Sequence, residues 1–188
     1  MRKTGTFAAA AGLLMASGVF GAVEAAEQCQ TLYAGKSIDA GSVCINNDAN
    51  YLTVTYQTTG QWSLDEVHLF VGESLWQMPQ TRSGNPKIGR FPYSSSVDGT
   101  HYQFNLPLGD FGGCGTTLAI AAHAVVAKTD PDGGMTRETA WADGERMTAR
   151  GSWATWFEYT PACIVADGCP STETAFGFGD QTLNDLGS

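Results

Sequence analysis

The sequence predicts an all-β protein, an antiparallel β-sandwich of about seven or eight strands, with a small barrel as the second choice. Three observations point there. Apolar and polar residues alternate at period two in several short runs rich in Thr, Val, Tyr, Phe and Trp. Turn-forming clusters such as Asn46-Asn47-Asp48, Thr59-Gly60, Asp98-Gly99, Gly112-Gly113 and Asp130-Pro131-Asp132-Gly133-Gly134 separate these runs. No stretch after the N-terminus has the apolar spacing of an amphipathic helix.

The chain opens with Arg2 and Lys3, then an apolar run from Phe7 to Phe20, then small residues around Val23-Glu24-Ala25. That order is the signature of a secretory signal peptide over residues 1–25, cleaved after Ala25 or Ala26. The apolar run is too short to span a membrane comfortably, and no later segment approaches about 18 apolar residues. The mature chain is therefore expected to have no membrane span and to be secreted, whether extracellular, on the cell surface or in the periplasm. An oxidising compartment makes disulfides the default for the five cysteines. Cys29 and Cys44 bracket a short N-terminal stretch. Cys114 begins one strand-like segment and Cys163 ends another, so these two are candidates for the same end of a sheet. Such a pairing leaves Cys169 over. The absence of any Cys-x-x-Cys removes zinc-ribbon and thioredoxin-type readings.

The expected sandwich occupies residues 27–162. Residues 50–58 place Leu52, Val54 and Tyr56 on one face. Residues 64–71 place Val67, Leu69 and Val71 opposite Glu66, His68 and Phe70. Tyr102, Phe104 and Leu106 alternate with polar neighbours. The run from Leu118 to Val126 sets Leu118, Ile120, Ala122, Ala124 and Val126 on one side, and Trp153 to Tyr159 alternates again. Residues 73–100 read as one long irregular connection, and long loops of this kind are often binding loops. Trp76, Arg90, Phe91 and Tyr93 are its candidate binding residues, by stacking on sugar rings or anchoring a partner. The competing expectation is that its aromatic residues pack down over the open end of the sheet. Residues 163–188 form a tail. In it Glu173-Thr-Ala-Phe-Gly-Phe-Gly-Asp180 echoes Glu138-Thr-Ala-Trp-Ala-Asp-Gly-Glu145, as the opening of a further strand would.

Charge narrows the partners. The 188 residues carry 10 basic and 19 acidic side chains, a net charge of −9, which becomes −10 when Arg2, Lys3 and Glu24 leave with the signal. Nucleic acid and anionic membranes both reward a basic footprint, so neither is an expected partner.

The usual enzyme signatures (G-x-S-x-G, H-E-x-x-H, a P-loop) are missing from the sequence. The best polar constellation is Glu66, His68, His123 and Glu138. Glu66 and His68 share the non-aliphatic face of one strand, about 7 Å apart. His123 likewise points away from the aliphatic side of its own strand. Should the two strands be neighbours, two imidazoles and a carboxylate converge, an acceptable donor set for zinc or a similar ion. Calcium is the other cofactor candidate, because Asn46-x-Asp48-x-Asn50 and Asp130-Pro-Asp132 alternate oxygen donors, although both lack a full calcium-loop ligand set. The turn chemistry of Asn, Asp and Gly accounts for the same residues without an ion.

Five segments in order carry a resemblance: Thr58-Thr59-Gly60-x-Trp62-x-Leu64-x-Glu66-x-His68-Leu69-x-Val71-Gly72, Gly84-Asn85-Pro86-x-x-Gly89-x-Phe91-Pro92-Tyr93, Ile120-Ala121-Ala122-His123-Ala124, Glu138-Thr139-Ala140-Trp141, and Trp153-Ala154-Thr155-x-Phe157-x-Tyr159. Together they resemble secreted bacterial surface and matrix-type β-sandwich proteins of uncharacterised function. The resemblance covers roughly residues 31–160. It implies an extracellular β-rich module, often part of a longer chain, and brings no catalytic residue with it. The functional expectation is a non-enzymatic surface, adhesive or matrix module that binds an extracellular polymer or protein, self-association included. The alternative, from another class, is a metal-dependent hydrolase with His68 and His123 as ligands and Glu66 or Glu138 as base.

Overall fold

The computed structural model describes residues 25–164. All but the last residue of the segment expected to be a signal peptide (residues 1–25), Cys169 and nearly all of the 163–188 tail lie outside the described residues. Ten antiparallel strands run through them: β1 (Gln28–Ala34), β2 (Ile38–Asn47), β3 (Tyr51–Thr58), β4 (Ser63–Gly72), β5 (Tyr93–Gly99), β6 (His101–Pro107), β7 (Leu118–Thr129), β8 (Met135–Ala142), β9 (Glu145–Arg146) and β10 (Thr155–Tyr159). Helical structure among the described residues is limited to single 3₁₀ turns at Leu75–Gln77, Ile88–Arg90 and Leu108–Phe111. No helix among them is long and apolar enough to cross a membrane.

The protein is thus all-β and antiparallel, as the period-two runs require. Eight strands follow one hydrogen-bonded path, β5-β4-β7-β8-β1-β2-β3-β6, and β10 joins the free stretch of β7. The path curls until its ends face each other, giving a nearly closed, barrel-like form, the second architecture expected from the sequence. Tyr93 of β5 and Phe104 of β6 stand with ring centres 6.3 Å apart across the meeting edges. One interior core collects the alternating residues of the whole path: Leu52, Val54 and Tyr56 of β3, Val67, Leu69 and Val71 of β4, and Leu118 to Val126 of β7. The alternation works because successive side chains on a strand point to opposite faces, so one apolar face per strand fills one interior.

Residues 73–100 are not wholly irregular, contrary to the sequence expectation. Tyr93–Gly99 forms edge strand β5, paired with β4. Its sequence, Tyr-Ser-Ser-Ser-Val-Asp-Gly, offers only Tyr93 and Val97 to the core, which leaves almost no hydrophobic alternation to read. Strands β1 and β2 also exceed what alternation showed. Their hairpin turns through Gly35 and Lys36, both at positive φ (55° and 88°), a conformation that matches the twist of tightly joined strands.

Both expected disulfides are present. Cys29 and Cys44 face each other across β1 and β2, and Cys114 joins Cys163. The second pair meets where β7 begins and β10 ends, since Leu118 stands opposite Tyr159.

Candidate functional site

The outer face of β4 and β7 carries the chemistry. The register puts His68 opposite His123, His123 opposite Trp141 of β8, Phe70 opposite Ala121, and Gly72 opposite Ala119. Three zones follow one another along β7: a histidine row, a second small core, and an open cleft.

In the histidine row, the imidazole centres of His68 and His123 lie 5.5 Å apart at 48°. The sequence expectation that these two converge is met. His68 Nε2 lies 3.3 Å from Glu66 Oε2. His123 is only 2% exposed and its ring meets Trp141 edge-on at 4.8 Å. Burial, reinforced by the neighbouring His68, lowers its pKa to about 3, so its imidazole is neutral. Both ring nitrogens of His123 and Nδ1 of His68 are buried without a hydrogen-bond partner among the described residues. From the interior, the Tyr56 hydroxyl donates to the His68 carbonyl at 3.0 Å, so the core side chain holds the strand under the pair.

Glu138 is not brought to this pair. It stands opposite Val126, whose side chain fills the interior, two positions along β8 from the inward-facing Ala140. Its carboxylate lies near Gly35 instead. Side-chain parity on β8 thus puts Glu138 on the wrong face for the histidines. Glu66, His68 and His123 do not bring three donor atoms within 4.8 Å of one another. Among the described residues only Glu27, Cys29 and Cys44 do so, and those two sulfurs are joined in a disulfide.

The second core explains why the loop after β4 is ordered. Met78 and Phe91 drop onto Phe70, Ala121 and Trp141, with Ala154 closing the cluster from the other side. Hydrogen bonds hold the loop around them: Thr81 N–H donates to the Asn85 carbonyl at 2.8 Å, and Ser152 N–H donates to Asn85 Oδ1 at 2.9 Å. Of the four candidate binding residues, Phe91 is therefore taken up by packing. Tyr93 packs against the main core beside Phe104 and Phe111. Arg90 is exposed, away from the cleft lining. Trp76 is 87% exposed.

Trp76 stands on the rim of a cleft of about 630 Å³, floored by Ala119 and lined further by Glu73, Arg82, Thr148, Trp156 and Glu158. Glu158 reaches it because β10 pairs with β7, Glu158 opposite Ala119. Sequence reasoning missed Glu73, Arg82, Trp156 and Glu158. For the last two a signal exists: they occupy the outward parity of a strand whose Phe157 and Tyr159 point inward. What the sequence lacks is the neighbour of that strand.

The calcium candidates are explained by turn chemistry. Asp48 Oδ1 accepts the N–H groups of Asn50 and Tyr51, both at 2.7 Å. Asp130 Oδ2 accepts the Thr136 hydroxyl, and Asp132 Oδ1 accepts Gly134 N–H. These carboxylates tie the hairpin turns.

No protein-family model, curated protein or solved structure matches the chain.

Proposed function

We propose that this is a secreted, non-enzymatic surface or matrix module that binds an extracellular polymer, a polysaccharide chain, through the cleft over β7 and β10. The observation that carries this is Trp76, an indole left 87% exposed on the rim of a 630 Å³ cleft with a second tryptophan, Trp156, in its lining. A large aromatic face held out in solvent on an anchored loop suits the C–H face of a sugar ring. Glu73, Glu158 and Arg82 supply acceptors and donors for hydroxyl groups along the same cleft. The two disulfides agree with an oxidising location. The apolar run at the N-terminus and the resemblance to surface proteins point the same way.

A metal-dependent hydrolase at His68 and His123 ranks below this. The pair does converge, but His123 is packed against Trp141, which in turn meets Phe91. That cover hides His123 from a substrate. Affinity electrophoresis through gels containing a neutral glucan, an amino-sugar polymer or an acidic polysaccharide tests the proposal. At least one polymer is expected to retard the protein, and Trp76→Ala to weaken that retardation about tenfold without lowering the melting temperature. Equal migration in every gel, or full retardation of the variant, would overturn it.

A further inference from the structure

We infer that His68 and His123 form a binding site for one transition-metal ion of the zinc or copper type, independent of the cleft and of any hydrolysis, with Glu66 as the positioning residue. A buried imidazole, His123, and a partly buried one, His68, stand opposite each other, and three of their four nitrogens are shut away from solvent without a hydrogen-bond partner. Unpartnered polar atoms in a protein interior are rare and call for a specific cause. Each is desolvated without compensation, in a face otherwise packed with Phe70, Phe91 and Trp141.

The spacing fits a shared ion. A metal–nitrogen bond of about 2.1 Å puts an ion roughly 3.2 Å from the centre of each imidazole. Two imidazoles on one ion then have centres about 5 to 6.5 Å apart, for angles from tetrahedral to linear. The observed separation is 5.5 Å.

The carboxylate explains the remaining geometry. An ionised carboxylate only accepts, so in a neutral His68 the contact with Glu66 makes Nε2 the N–H and leaves Nδ1 with the free lone pair. That Nδ1 is one of the buried nitrogens without a partner. A histidine that donates one nitrogen to a carboxylate and offers the other to the metal is the usual way a ligand ring is fixed. Glu66 therefore sits behind the ligand. This is why it contributes no third donor atom within 4.8 Å of the pair, and why the sequence-based role of direct ligand or base is replaced here. Imidazole donors favour zinc and copper over calcium or magnesium, which take oxygen. The His68 side chain, 15% exposed, gives the ion its way in.

Equilibrium dialysis of the full chain against Zn²⁺, and separately Cu²⁺, with elemental analysis, tests the inference. The wild type is expected to hold about one equivalent of at least one of the two ions, and that ion to raise the melting temperature by about 5–10 °C. His68→Gln, at the more open position, is expected to bind at least tenfold more weakly while its ion-free melting temperature stays close to wild type. Glu66→Ala is expected to lose about tenfold in affinity, and Glu66→Gln, which still offers a carbonyl acceptor, to recover part of it. Less than a tenth of an equivalent of either ion on the wild type overturns the site. So does binding that His68→Gln leaves unchanged. Equal affinities for the two Glu66 variants and wild type overturn the positioning role. None of these readouts depends on polysaccharide binding.

Discussion

The Tyr159 hydroxyl donates to Asn47 Oδ1 at 2.8 Å, a buried bond between residues 112 positions apart. Asn47 also accepts Ala162 N–H at 3.0 Å and donates through Nδ2 to the carbonyls of Asp48 and Ala162. One fully buried amide thereby satisfies the chain after β10 and ties it to the end of the β2–β3 hairpin. Removing it leaves several polar groups without partners. Asn47→Ala is expected to cost about 2–4 kcal/mol of stability and Tyr159→Phe about 1 kcal/mol. A double-mutant cycle by urea denaturation checks the link, and the two changes should be clearly less than additive. Additive effects would show that the bond is not formed in solution.

The two disulfides should differ in worth. Cys114–Cys163 closes a separation of 49 residues and Cys29–Cys44 one of 15. On chain-entropy grounds the first contributes about 4 kcal/mol and the second about 3 kcal/mol. Paired Cys→Ser variants, compared by thermal melting, should show the Cys114–Cys163 variant as the less stable. The reverse order would mean that strain or residual unfolded structure outweighs loop length.

Gly41 permits the close approach of β2 to β3. Its φ is +145°, and a Cβ there would run into the backbone of Gln57 and Thr58. Gly41→Ala is expected to destabilise by at least about 2 kcal/mol, because backbone, unlike a side-chain tip, does not yield cheaply. Wild-type stability for this variant in chemical denaturation would contradict the described β2–β3 register.

Stability should fall in alkali. Burial raises the pKa of Tyr56 well above the ordinary value of 10, partly offset by the His123 backbone N–H directed at its oxygen. Below pH 10 the hydroxyl is protonated in both states and its contribution is fully present. Above pH 10 the unfolded chain releases the proton while the folded one keeps it, so stability drops with rising pH. The slope is up to about 1.4 kcal/mol per pH unit. Tyr93 and Tyr159 shift in the same direction through partial burial. Urea midpoints between pH 9 and 11 should therefore decline for the wild type, and less steeply for Tyr56→Phe. Parallel slopes would show that Tyr56 is not the group responsible.

The sequence by itself determined the face of each strongly alternating strand. Leu52, Val54 and Tyr56, and Val67, Leu69 and Val71, are all inside; the cysteine positions suggested both disulfide pairs, and the structure fixed their connectivity. Side-chain parity and cysteine position are local properties, so a single sequence exposes them. Tertiary structure alone decided which strands are neighbours. The pairing of β4 with β7 set His68 opposite His123. The parity of β8 turned Glu138 away from them. The pairing of β10 with β7 brought Trp156 and Glu158 to the cleft with Trp76. β5 escaped notice because it is an edge strand of serines whose place is fixed by backbone bonds to β4. Strand order follows from how the whole set of apolar faces closes around one interior, and no local pattern carries that information.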